Sequence, residues 1–71
     1  MKELFKGMIE ALKDRKINSI VIEGESSFVP FVFEDNEIRM FTKGKIKPVD
    51  EEKALLMLEF AHSVKRSITI K

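Results

Sequence analysis

The sequence predicts a small α+β domain with the element order α-β-β-β-α-β: two helices packed on one face of an antiparallel sheet of three to four strands. Three observations carry this. Apolar residues recur at the helical period over residues 2–16 and again beyond Asp50. Between those segments lie β-branched and aromatic runs, punctuated by Gly24, Asp35-Asn36 and Lys43-Gly44. The turns at those punctuations impose registers that gather one set of apolar side chains onto one face of the sheet.

In the first helix Leu4, Phe5, Met8, Ile9 and Leu12 form a single stripe. Lys13, Arg15 and Lys16 follow in its last turn, where cations favour the negative end of the helix dipole. Ile17 to Glu23 is β-branched and ends at Gly24, so it reads as a strand; Phe28 to Phe33 is a second. Asp35-Asn36 supplies a two-residue hairpin turn, since both residues tolerate positive φ, and Glu37 to Thr42 is the third strand. That turn sets Phe33 opposite Ile38 and Phe31 opposite Met40. A tight turn at Glu25-Ser26 sets Ile22 opposite Val29 and Ile20 opposite Phe31. Pro30 cannot donate to a ladder, so a bulge there, or pairing that stops short of it on one side, is expected. Lys45-Ile46-Lys47-Pro48 reads as a loop or a short extension. Asp50 is an N-cap with Glu51 and Glu52 in the first turn, and the second helix runs to about Lys65. Ser67 to Lys71 alternates as a final strand.

The 71 residues leave room for one domain, residues 1–71, and one core. A chain of this size buries only about 60% of the surface it exposes when unfolded, so its stability margin is narrow. It contains no cysteine, which fits a reducing cytoplasm. With His62 as the only histidine, no zinc site is expected, and no other metal or cofactor. Thirteen basic residues against twelve acidic ones argue against a strongly cationic nucleic-acid binder. The opening segment is charged and amphipathic, so neither a signal peptide nor a membrane span is expected there.

Two features ask for more than a core. The apolar positions of the second helix, Ala54, Leu55, Leu56, Met57, Leu58, Phe60, Ala61 and Val64, cover over half its circumference. A helix on one sheet needs a stripe only about 100° wide. The favoured explanation is that this helix packs against sheet and first helix together; the other is that one flank meets another molecule. The second feature is the outer sheet face, which carries Val21, Phe28, Pro30, Val32 and Phe41 with Arg39, Ser19 and Glu23 among them. That is too apolar for a face left in water, unless the final strand and the loop around Ile46 cover it.

Catalytic chemistry is not in view. Ser26 and Ser27 lie in a turn and His62 on a helix, with no spacing that joins nucleophile to base. Glu34 and Glu37 face each other across a hairpin, a mildly destabilising pair that a cation could relieve. Glycines 7, 24 and 44 are isolated and make no phosphate loop. The order α-β-β-β-α is similar to that of double-stranded-RNA-binding domains, which place basic residues at the start of their second helix. Here Asp50-Glu51-Glu52 would repel phosphate, and the turn Gly24-Glu25-Ser26-Ser27 lacks the histidine that family uses in the minor groove. The resemblance is one of element order, which does not transfer function.

The expectation is therefore a non-enzymatic, cytoplasmic protein-interaction or regulatory module, acting as a homodimer or on a larger protein partner. Phe28, Val32 and Phe41 are its apolar anchors and Arg39 a polar contact. The alternative is a nucleic-acid-binding domain using Lys43, Lys45, Lys47 and Lys53.

Overall fold

The computed structural model describes residues 2–71. Helix α1 (Lys2–Lys13) is followed by strands β1 (Ile20–Glu23), β2 (Phe28–Glu34), β3 (Glu37–Thr42) and β4 (Lys45–Val49). Helix α2 (Glu51–Ser63) and strand β5 (Ser67–Ile70) complete the chain. The strands form one antiparallel sheet in the order β4-β3-β2-β1-β5. The class is the predicted α+β, with five strands in place of three or four.

The predicted registers hold at every named pair: Ile20 opposite Phe31 and Ile22 opposite Val29, Phe31 opposite Met40 and Phe33 opposite Ile38. Asp35 and Asn36 adopt φ of 53° and 62°, the left-handed pair that matches the twist of a two-residue hairpin. Pro30 lies opposite Val21 on β1, but pairing with β3 starts one residue later, at Phe31. The missing N–H is accommodated by a ladder that stops short, not by a bulge.

Residues 45–48, read as a loop or a short extension, belong to a full strand of the sheet. Lys43 and Gly44 both take positive φ, 51° and 74°, and turn the chain straight back so that β4 pairs along β3 from Thr42–Lys45 to Ile38–Val49. β4 is an edge strand, where a proline such as Pro48 is tolerated because one side of the backbone has no ladder to complete. Four strands between the helices also separate this fold from the α-β-β-β-α order it resembled.

Both helices lie on one face of the sheet. They run antiparallel: the Phe5 and His62 rings meet edge-on with centroids 5.9 Å apart at one end, and Lys13 Nζ donates to Glu51 Oε1 at 3.1 Å at the other. That hydrogen bond, and then the Glu51 charge, hold the Lys13 ammonium above its ordinary pKa. The core joins Ile20, Ile22, Phe31, Ile38 and Met40 of the sheet to Phe5, Met8, Ile9 and Leu12 of α1 and Ala54, Leu55, Leu58 and Ala61 of α2. Each large apolar side chain buried this way contributes about 1.5–3 kcal/mol. Among the described residues no buried side-chain polar atom lacks a partner.

The helices end earlier than their periodicity suggested. At α1, Arg15 N–H donates to Leu12 O and Lys16 N–H to Ala11 O, with Arg15 at φ 60°. At α2, Lys65 N–H donates to His62 O and Arg66 N–H to Ala61 O, with Lys65 at φ 62°. Each is a Schellman termination, built twice on a long charged residue where glycine is the usual choice. The N-terminus of α2 is as predicted: Asp50 Oδ1 accepts from Lys53 N–H at 2.7 Å.

Candidate functional site

Cross-strand partners share a face, so the registers assign the helix-free side directly. Ile46 stands opposite Phe41, and Pro48 opposite Arg39. Val32 also stands opposite Arg39, Pro30 opposite Val21, and Phe28 opposite Glu23. Ser67 and Thr69 of β5 complete this side. The cover expected from the final strand and the segment around Ile46 is supplied only in part. β4 extends the face with Ile46 and Pro48, and β5 adds a polar margin. Phe28, Phe41 and Ile46 are 56%, 42% and 58% exposed, while Val32 and Pro30 are half-buried.

One part of the face is closed. Val21 is only 2% exposed. Lys71 Nζ stands 5.7 Å from the centre of the Phe28 ring. Phe28 belongs to β2 and Lys71 follows β5, so this cation–π pair reaches across β1, the strand between them. The apolar surface that stays open is therefore displaced toward β2, β3 and β4.

Arg39 sits inside this surface and is engaged within the chain. Its Nε donates to Glu37 Oε2 at 3.0 Å, Nη1 to Glu34 Oε1 at 3.3 Å and Nη2 to Asp35 Oδ2 at 3.0 Å. The hydrogen bond to Glu37 is the main cause that lifts its pKa above the ordinary guanidinium value; burial opposes it, and the charges of Glu37, Asp35 and Glu34 add to the rise. The cation that relieves Glu34 and Glu37, which do face each other, is thus Arg39 itself. Three of its five N–H donors are thus engaged by side-chain carboxylates.

A second apolar surface lies on α2. Leu56, Phe60 and Val64, at i, i+4 and i+8, form an exposed stripe, with Leu56 64% and Phe60 66% open to solvent. Beside it a cleft of about 440 Å³ runs between α2 and the sheet, lined by Ile22, Val29, Met57, Leu56, Phe60 and Lys53 among others. The favoured packing explanation fails for this flank: sheet and α1 together use Ala54, Leu55, Leu58 and Ala61 and leave the stripe bare. Its signal was the surplus circumference of apolar residues, but which part of that arc stays free is decided by where α1 lies.

The remaining candidates stay apart. Ser26 and Ser27 line a shallow polar hollow with Lys65 and Arg66, where Arg66 Nη1 donates to Ser27 Oγ at 2.9 Å. His62 lines a different hollow with Phe5, Met8, Leu4 and Ile70. A Cβ on Gly24 would come within 2.5 Å of Ser27 Oγ and 2.6 Å of Arg66 Nη1, so glycine there permits the Ser27–Arg66 contact. Lys43, Lys45, Lys47 and Lys53 are all exposed. β4 places Lys45 opposite Thr42 and Lys47 opposite Met40, on the helix side of the edge; Lys43 is at the hairpin corner and Lys53 in the first turn of α2. Among the described residues no group of three His, Cys, Asp or Glu side chains is arranged to hold a metal ion, and no helix is long and apolar enough to cross a membrane.

Set against protein-family models, curated proteins and solved structures, the chain finds no significant match in any of the three.

Proposed function

We propose that this chain is a non-enzymatic protein-interaction module that docks a partner protein on the helix-free face of its sheet. Phe28, Val32, Phe41 and Ile46 act as the apolar anchors, and Arg39 is the oriented polar contact among them. The observation that carries the reading is the row Ile46–Phe41 beside Pro30 and Val32. It is an open apolar surface on the side of an antiparallel sheet that normally faces water with polar residues. Aromatic and aliphatic groups on a rigid sheet bind at low entropic cost, because little must be ordered on docking. The cysteine-free composition suits a cytoplasmic setting.

Val32→Glu and Phe41→Glu place a charge in the centre of this surface without touching the core. Each should fold with wild-type secondary structure and lose the partner retained on immobilised wild-type protein. Unchanged retention by both variants would refute the proposal. The rival, a nucleic-acid binder using Lys43, Lys45, Lys47 and Lys53, is favoured by the exposure of all four lysines. It requires affinity for duplex or single strand that falls steeply as salt rises.

A further inference from the structure

The two margins of the sheet are built differently. β4 carries Lys45, Lys47 and Pro48, the charges and missing N–H that deter pairing by another strand. β5 reads Ser67-Ile68-Thr69-Ile70, with no charge and no proline. Lys71 N–H donates to Ser19 O at 3.0 Å, and its carbonyl accepts from Asn18 N–H at 2.8 Å, so the Lys71 backbone faces β1. Alternation along an antiparallel strand turns Thr69 and Ser67 the same way. The N–H and C=O of Ile68 and Ile70 then point outward, where no strand meets them among the described residues.

We infer that β5 pairs with β5 of a second copy of this chain, antiparallel, about a two-fold axis normal to the sheet at Thr69. Such an axis keeps the helix sides of both sheets together, so Ile68 of each copy stands opposite Ile70 of the other. Each of those two pairs exchanges both backbone hydrogen bonds, and every outward group of the strand is satisfied. A register centred on Ile68 or Ile70 instead would close a single such pair. Lys71 falls opposite Ser67, so no like charges are opposed. On the helix side the isoleucines of the two copies cluster beside Leu4, which is exposed and shares a hollow with Ile70. The occupant is a second copy because the edge complements itself in backbone and apolar side and sets no like charges opposite each other. A four-residue edge falls short of the roughly 800 Å² per partner of stable complexes, so the dimer is concentration-dependent. Both docking faces end on the same side of a ten-stranded sheet, and the edge does not compete with the proposed partner.

The absence of cysteine in the chain makes a clean test. In the paired state Thr69 faces its own copy at a non-hydrogen-bonded position, with Cα atoms about 4.5 Å apart, inside the disulfide range of about 4.4–6.8 Å. Under mild oxidation Thr69→Cys should form covalent dimer several-fold faster than Ser67→Cys. Light scattering on the wild type should show mass rising with concentration from 8.2 kDa toward twice that value. Ile70→Pro removes an outward N–H and none that faces β1, and should stay monomeric; Ile70→Lys should do the same should proline disturb the strand. Phe41→Glu should dimerise normally, which separates this contact from partner docking. A wild type that is monomeric throughout, equal cross-linking of the two cysteine variants, or dimers that persist in both Ile70 variants would overturn the inference.

Discussion

Arg39 shows how much one side chain settles at the hairpin. Glu34 and Glu37 stand opposite each other, and the guanidinium reaches both of them and Asp35. Because Arg39 is held above its ordinary pKa, its contribution is complete below that value and is lost only in alkali beyond it. Ionic strength is therefore the useful variable, not pH. In Arg39→Gln the two glutamates repel without relief, so added salt should raise the melting temperature of the variant more than that of wild type. An identical salt response would mean the three contacts carry no net weight. The opposition of the two glutamates was legible in the sequence. Its relief by Arg39 follows from the same alternation, since residues 37 and 39 share a face of β3. At the core the matching case is Phe31, 2% exposed. Phe31→Ala should cost about 3–5 kcal/mol, a large share of the 5–15 kcal/mol typical of a whole domain, and urea titration would read it as a collapse of the midpoint.

At the scale of elements, strand registers were the most legible feature, because a one-residue slip would have scattered Ile20, Ile22, Val29, Phe31, Phe33, Ile38 and Met40 between two faces. β4 was hidden for two physical reasons. Lys43 is an unusual occupant of a positive-φ turn position, and Pro48 counts against a strand unless that strand is an edge, which only the assembled sheet reveals. The helix ends were hidden in the same way, because neither Schellman turn uses glycine. That choice has a cost. Lys65→Gly removes a Cβ from a left-handed backbone and should stabilise the protein by about 1 kcal/mol. Asp50→Ala, which removes the side-chain acceptor for Lys53 N–H, should destabilise it by about 1 kcal/mol. Both would appear as shifts of the denaturation midpoint at constant slope; a null result for Lys65→Gly would mean the turn is not strained.

At the scale of the molecule, the domain is one apolar core between two surfaces that are themselves partly apolar. The sheet surface was legible because β-strand alternation fixes which side each residue takes. The α2 stripe was only half legible, because the sequence showed a surplus of apolar circumference without showing that α1 leaves Leu56, Phe60 and Val64 uncovered. The central claim is that the helix-free face is where another protein docks. Photo-cross-linking from a benzophenone side chain at position 41, with a second protein carrying it at the exposed position Glu10 of α1, tests that claim most directly. The prediction is a discrete cross-linked product with one partner from position 41, none from position 10, and loss of the product when Val32→Glu is added. Equal or indiscriminate labelling from the two positions would contradict it.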